Sequence, residues 1–369
     1  MDLVTGGINV HLRYDHAVPE LYWKSGRAIS VFPGKESKSQ GNRSLGTDSS
    51  CGCCSDQCGG LCYSPIKFGR RRRKLPIMRY LSDVLKQQYG EKVYKISLSS
   101  GCTCPNRDGK AGFGGCAFCS EGGSGEYTSQ AEDIDVQIEE AKRRIREKTN
   151  ARRFIAYFQS FTNTYGDVNR LAELYEAVIR REDIAILSIG TRPDCLGEDI
   201  LDMLRHLNSI KPVWIELGLQ TMHDTTAFRV NRGYPLPVFE DALRRLKEAG
   251  IEVIVHVIFG LPGETREDML RTIRYLAGLQ PGPDGIKMQM LNILRGTRLG
   301  REYEKEPFPL LSMEEYTDLV ADSIRILPGK MVIHRMTGDG PGHLLIAPEW
   351  VRNKKKVLNT INQKVRSGE

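Results

Sequence analysis

From Met78 onward the chain repeats one unit: a short run rich in β-branched residues, then a segment whose apolar residues recur at helical spacing. Runs at 93–99, 154–161, 184–190, 213–220, 252–259 and 285–293 read as strands. Between them, Ile134/Ile138/Ala141/Ile145, Leu171/Leu174/Tyr175/Val178, Ile200/Leu201/Leu204/Leu207, Val238/Ala242/Leu246 and Met269/Ile273/Leu276 each line one helix face. Leu81, Val84, Leu85 and Gln88 open a further helix ahead of the first strand. Asp133 and Asp167 suit helix N-caps, and Gly250 ends a helix before the fifth strand. Strands that alternate with helices in this way pair in parallel through right-handed crossovers, as a barrel or a doubly wound sheet.

Side-chain parity separates the two. Glu216, Gly218 and Gln220 share one face of their strand, opposite Ile215, Leu217 and Leu219. Ser188, Gly190 and Arg192 oppose Leu187 and Ile189. Lys95, Ser97 and Ser99 oppose Ile96 and Leu98, and Lys287 and Gln289 oppose Ile286, Met288 and Met290. Strands covered by helices on both faces read as continuous apolar runs. A polar second face therefore predicts an apolar outside under the helices and a polar cavity within, with the chemistry at the C-terminal strand ends.

Composition narrows the setting. The most apolar stretch, 251–259, is interrupted by Glu252 and His256, so an ordinary transmembrane helix is excluded and no membrane partner is expected. The first 30 residues lack the apolar run of a secretory signal, which points to the cytoplasm and to reduced thiols. Ten Cys in such a setting read as metal ligands. Residues 1–76 hold twelve basic and six acidic side chains, so they carry +6 of the net +7, and the body is close to neutral. That segment contains Cys51, Cys53, Cys54, Cys58, Cys62 and a basic run at 70–74. It reads as a flexible extension, or as sequence upstream of a start at Met78, since its Gly- and Ser-rich composition buries little apolar surface. A second zinc or iron–sulfur site is the alternative, although the spacing matches no ligand pattern. The expected division is 1–76 as extension, 77–300 as core and 301–369 as a helical and strand addition packing on that core.

Directly after the first strand come Cys102, Cys104 and then the C-x2-C pair Cys116 and Cys119, within a loop holding glycines 109, 112, 114 and 115. One reading is a structural four-Cys zinc site with Cys102 as fourth ligand. The other is a [4Fe–4S] cluster on Cys104, Cys116 and Cys119 that leaves one iron open to substrate. The loop follows the C-terminal end of a strand, where the chemistry of such folds sits, and that favours the second.

The stretch CPNRDGKAGFGGCAFCSEGGSG resembles the cluster loop of the radical S-adenosylmethionine (SAM) superfamily, in particular its YhcC/YtqA subgroup. Further matching elements follow in order: AYFQSFTNTYG (156–166), SIGTRPDCL (188–196), WIELGLQTMHD (214–224), NRGY (231–234), HVIFGLPGE (256–264), GIKMQML (285–291), LRGT (294–297) and IHRMTGDGPGHLLIAPEW (333–350). The TRPD, ELGLQ and GLPGE elements are also similar to the catalytic subunit of the elongator complex. The first gap of the cysteine motif is longer than the superfamily's usual C-x3-C-x2-C, in the subgroup's own pattern.

The resemblance implies a partial (β/α)6 barrel with C-terminal α/β additions. It implies a [4Fe–4S] cluster on Cys104, Cys116 and Cys119, with SAM chelating the fourth iron. Reductive cleavage of SAM then yields a 5′-deoxyadenosyl radical that abstracts hydrogen from substrate. Phe118 resembles the aromatic that packs near adenine. Thr162 and Asn163 stand where the superfamily's Gly-Gly-Glu element holds the methionyl amine, the departure from Gly-Gly-Glu leaving this element the least constrained, and Gln159 is expected to bind the cofactor. Arg192 is expected to pair with a carboxylate, and Glu216 and Gln220 to reach the SAM ribose or substrate. His256 is either a satisfied core histidine or a substrate contact. Asp339 belongs to a polar loop, running from His334, that closes over the cavity or simply turns. Lys287, Arg295 and Arg335 are expected to meet an anionic group. The implied partners are an electron donor of flavodoxin or ferredoxin type and, through the elongator likeness, tRNA modified at wobble uridine. A metabolic substrate other than RNA, and a zinc-stabilised binding module without catalysis, are the alternatives.

Overall fold

The structure, a computed structural model, describes residues 78–123, 125–126, 128–129, 131–338 and 340–367. The chain enters through β1 (Arg79–Tyr80) and α1 (Leu81–Tyr89). Five strand–helix steps follow: β2 (Val93–Leu98) and α2 (Ile134–Arg146), β3 (Arg153–Phe158) and α3 (Val168–Ile179), β4 (Ile184–Thr191) and α4 (Glu198–Ile210). Next come β5 (Val213–Gln220) with the short α5 (Asp224–Arg229) and α6 (Leu236–Glu248), then β6 (Glu252–Phe259) with α7 (Arg266–Gly278). The C-terminal part holds β7 (Gly285–Met290), β8 (Ile293–Leu294), α8 (Arg298–Lys305), α9 (Met313–Ile326), β9 (Val332–Arg335), β10 (Leu345–Ala347) and α10 (Lys354–Ser367).

Among the described residues, eight strands form one sheet in the order β1-β9-β7-β6-β5-β4-β3-β2. Every neighbouring pair in it is parallel. The edges β1 and β2 are not paired with each other, so the sheet curls into a partial barrel. Ile189, Leu217, Val255 and Met288 on its outer face are fully buried with Tyr175, Leu204, Phe239 and Ile273 of the covering helices. Each such side chain contributes about 1.5–3 kcal/mol by leaving water. The caps form as the composition of the termini dictates. Asp133 and Asp167 accept from Val136 N and Arg170 N, and Thr265 with Asp268 makes a reciprocal capping box on α7. Gly250 takes φ +73° after α6, where a side chain would be strained.

Helix α1 has a second role. Its Leu85 is buried with Val93, Ile155, Ile186, Trp214 and Ile254, all near the N-terminal ends of the strands. The helix touches β1, β2 and β9 and stops that end of the barrel. The outcome is a cup that opens at the C-terminal strand ends.

Two expectations change. The sixth predicted strand divides, because Leu291 N bonds Phe259 O at the end of β6 and the chain then leaves the sheet to pair β8 with β10. The segment from His334 was expected to be loop, yet His334 and Arg335 lie in β9, inserted between β7 and β1. The His334 ring packs edge-on against Trp214, with centroids 5.1 Å apart. No helix among the described residues is long and apolar enough to cross a membrane.

Candidate active site

The cup holds a cavity of about 890 Å³ whose lining includes Cys104, Cys116 and Cys119. All three come from the loop that leaves β2, and its conformation is set by local turns. Arg107 N bonds Cys104 O at 2.8 Å, and Cys119 N bonds Cys116 O at 2.9 Å. Gly114 and Gly115 adopt φ +75° and +74°, where side chains are strained. Asn106, fully buried, clasps this loop to the turn after α5: its Nδ2 donates to Asn231 O at 2.6 Å and lies 3.7 Å from Cys116 Sγ. Asn231 returns the contact by donating from Nδ2 to Gly115 O at 2.8 Å and Phe113 O at 3.1 Å. A Cβ on Gly112 would stand 2.4 Å from Asn106 Oδ1, and one on Gly233 2.8 Å, so both glycines are required for the clasp to close.

Cys102 is elsewhere. It is buried in the outer core, with its sulfur 3.4 Å from Arg170 Nη2, and it does not line the cavity. Among the described residues, no three His, Cys, Asp or Glu side chains converge as ligands of a single metal ion. One zinc with bonds of about 2.3 Å needs its sulfurs within roughly 4 Å of one another. Cys104, Cys116 and Cys119 all line the same cavity, and three thiolates would leave one iron of an iron–sulfur cluster open to a ligand there. Burial first, and then Cys119, push the Cys116 thiol up to about 12. Burial likewise raises Cys119, against the pull of Arg107. The bare Cys116 and Cys119 thiols are thus protonated, and binding of iron would displace those two protons.

The inward strand faces meet as parity predicted, and they meet on one residue. Glu216, at the centre of β5, is 1 % exposed. Its Oε1 accepts from Lys95 Nζ at 2.8 Å and Ser188 Oγ at 2.9 Å, and its Oε2 contacts His256 Nε2 at 2.7 Å and accepts from Lys287 Nζ. Tyr157 completes the group, its ring 4.3 Å from each lysine ammonium. The six strands β2 to β7 therefore each place one side chain in this network. Burial opposes ionisation of Glu216, but Lys287 and Lys95 outweigh it and hold the carboxyl well below the usual carboxylate range. Lys287 is itself pulled below the usual lysine range by burial, against the direct contact with Glu216. Burial and then Lys287 lower His256 to about 4, so its imidazole is neutral at pH 7.

The remaining expected residues divide. Phe118, Gln159, Thr162, Arg192, Glu216, Gln220 and His256 all line the cavity. Asn163 does not. Its Nδ2 donates to Phe158 O and Gly190 O at 3.1 and 2.9 Å, and its Oδ1 accepts from Ser100 Oγ at 2.6 Å, so it braces the strand ends. Arg192 makes the bidentate pairing expected of it, but with Asp194, at 2.9 and 2.7 Å. Lys287 meets Glu216 instead of an external anion, and Arg295 is exposed outside the cavity lining, while Arg335 lines it. Asp339 lies outside the described residues, as does the cysteine group from Cys51 to Cys62. Sequence reasoning passed over Tyr157, Asn106 and Asn231. Tyr157 was accessible to it, since alternation along β3 puts Tyr157 on the face of Gln159. The asparagine clasp joins segments over a hundred residues apart and leaves no local signal.

Comparison with known proteins agrees with this geometry. The Radical SAM superfamily matches residues 98–276, and the Radical_SAM C-terminal domain matches residues 283–367. Protein YtqA of Bacillus subtilis (strain 168) is 40 % identical over 303 residues, covering 82 % of this chain and 92 % of that protein. Protein YhcC of Escherichia coli (strain K12) is 34 % identical over 271 residues, covering 73 % and 86 %. Among solved structures, the archaeal Methanocaldococcus infernus Elp3 with an N-terminal deletion superposes with a TM-score of 0.55 at 16 % identity, covering 74 % of this chain and 63 % of that one. A cysteine loop at the mouth of a parallel half-barrel, carried through relatives that span nearly its whole patterned length, makes this chain an enzyme of the radical SAM superfamily, in the YhcC/YtqA subgroup, with a [4Fe–4S] cluster and SAM as its cofactors.

Proposed function

We propose that Cys104, Cys116 and Cys119 hold the cluster, and that SAM and substrate occupy the rest of the same cavity. The observation that carries this is the placement of three thiols and a set of polar strand-end groups around one space of about 890 Å³. That volume lies near the top of the roughly 300–1,000 Å³ usual for small-molecule sites, which leaves room beside a cofactor for a nucleoside-sized group. When bound, the cofactor pair supplies one-electron cleavage of a sulfonium and abstraction of a hydrogen atom from substrate.

The chain's own residues bind and orient. Gln159, Thr162 and Gln220 present amide and hydroxyl groups to a polar ligand. Arg192 is fixed by Asp194 and by donation from Nη1 to Arg232 O at 2.8 Å, so it offers a pre-oriented positive face. Phe118 packs beside the apolar group of Leu261, Leu291 and Ile293 and excludes water from that side. His256, neutral, donates from Nε2 to Glu216, which makes Nδ1 the acceptor for a proton or hydroxyl of substrate.

The substrate reading is the side chain of wobble uridine in tRNA. Support comes from the likeness to the elongator catalytic subunit and from Arg335, Arg352 and Lys354 along the cavity lining. Anaerobic reconstitution tests the enzyme: the protein should hold iron and release 5′-deoxyadenosine from SAM under reduction. Each of Cys104→Ala, Cys116→Ala and Cys119→Ala should abolish both. Stoichiometric zinc without SAM cleavage would sink the reading. For the substrate, nucleoside profiling of tRNA from cells lacking the gene should show unprocessed wobble-uridine side chains, and an unchanged profile removes tRNA.

A further inference from the structure

Glu216 borders the cavity, yet its side chain is 0 % exposed, whereas that of His256, which it contacts at 2.7 Å, is 17 % exposed. A ligand in the cavity therefore meets the imidazole and not the carboxylate. Lys95, Ser188 and Lys287 all donate to Glu216, so it is an acceptor only, and His256 Nε2 has to carry the proton between them. Burial first, then Lys287, keep the ring neutral against the pull of Glu216. One tautomer remains, with a bare Nδ1. Among the described residues nothing bonds that Nδ1, and it is not sealed from the cavity that His256 lines. The buried charges thus define one acceptor on the cavity wall.

The next strand supplies a donor. In the register of β6 and β7, His256 stands opposite Lys287 and Ile258 opposite Gln289. Arg335 Nη1 contacts Gln289 Oε1 at 3.5 Å. A guanidinium offers donors alone, so this contact claims the oxygen end of the amide and leaves Nε2, a donor, for a ligand. Among the described residues Nε2 has no partner, and it is not sealed from the cavity that Gln289 lines. Ile258 lines the same wall beside them and makes that part of it apolar. An acceptor next to a donor on such a wall fits the edge of a planar ring that presents an N–H beside a carbonyl oxygen.

We propose that His256 Nδ1 and Gln289 Nε2 read the Watson–Crick edge of a uracil ring, accepting from N3–H and donating to O4, with Glu216 as the positioning residue that fixes the imidazole. The inference rests on the uridine reading above and names the contacts by which the base is recognised. In the same seat cytosine inverts both contacts, since its N3 is an acceptor and its 4-amino group a donor. A methyl group on uracil N3 removes the donor and occupies its place.

The test measures binding of an anticodon stem–loop RNA, carrying uridine, 3-methyluridine or cytidine at the wobble position, to the whole reconstituted protein with SAM bound. Uridine should bind best, with 3-methyluridine and cytidine each weaker by roughly tenfold or more. In His256→Leu the penalty for the methyl group should disappear, and in Gln289→Leu the preference for uridine over cytidine should narrow by a similar factor. A side chain that merely holds the fold would weaken the three loops alike and leave these ratios unchanged, which would overturn the proposal. Iron content and the thermal midpoint identify a variant that has not folded, and the other variant then carries the test. Equal binding of uridine and 3-methyluridine by the unaltered protein would also overturn the proposal while leaving the tRNA reading intact. Failure of all three loops to bind would instead remove the tRNA reading, and the base contacts with it.

Discussion

Glu216 is buried with a full set of partners, and that determines what its loss would do. Removing one member of a buried ion pair leaves the others charged and uncompensated, at a cost of about 3–5 kcal/mol. Glu216→Gln should therefore lower unfolding stability by that order in denaturant titrations, and adding Lys287→Met should recover part of it. Equal stability of Glu216→Gln and the unaltered protein would show that the network is not coupled. His256 predicts a pH dependence. Its ordinary value of 6.5 applies to the unfolded chain, and the native state holds it near 4. Between those values the unfolded chain takes up a proton that the native state refuses. Stability present above pH 6.5 is then lost as pH falls toward 4, by up to about 3 kcal/mol for this group. Glu216, held low, loses its contribution in the same direction as acid protonates it. Thermal midpoints of the unaltered protein should drop faster between pH 6.5 and 4.5 than those of His256→Gln. Parallel curves would contradict the assignment.

Among elements, the cysteine loop is a long excursion whose closure depends on a contact far along the chain. Asn106→Ala removes the bond to Asn231 O and leaves that carbonyl unpartnered, at about 1–3 kcal/mol. The expected outcome is a lower unfolding midpoint without iron and faster iron loss to a chelator with it. Unchanged values for both would place the weight of the loop elsewhere. How much of this was legible follows from which interactions are local. Period-2 alternation in 213–220 and its neighbours located the polar cavity face, because a strand's two faces are written in its own residues. The convergence of Lys95, Ser188, His256 and Lys287 on Glu216 was not legible, since it depends on strand order and register. Strand β9 has four residues, too few for a period to show, and His334 and Arg335 look like loop residues beside the following glycines. Asn163 looked like a cofactor residue because its motif position was known while its partners were not. Arg192 was rightly oriented but already had a carboxylate, Asp194, two residues away.

For the whole molecule, the uneven charge becomes a prediction about the first residues. Since 1–76 carry nearly all of the net charge and β1 begins at Arg79, a chain starting at Met78 should fold, take up iron and cleave SAM. Lost cleavage in that chain, with folding intact, would give the earlier cysteines a working role. The same asymmetry means that affinity for RNA, if measured, must come from local groups at the cavity rim, because the body itself is nearly neutral. Helix α1 closes the base of the cup, and that closure has a kinetic consequence. Among the described residues, a cup stopped at its base and reached from the C-terminal strand ends would impose an order on its traffic. Under the reading proposed above, the ligand that sits deepest should enter before the one that fills the mouth and leave after it. Product-inhibition kinetics should then show ordered binding, and a random-order pattern would contradict it.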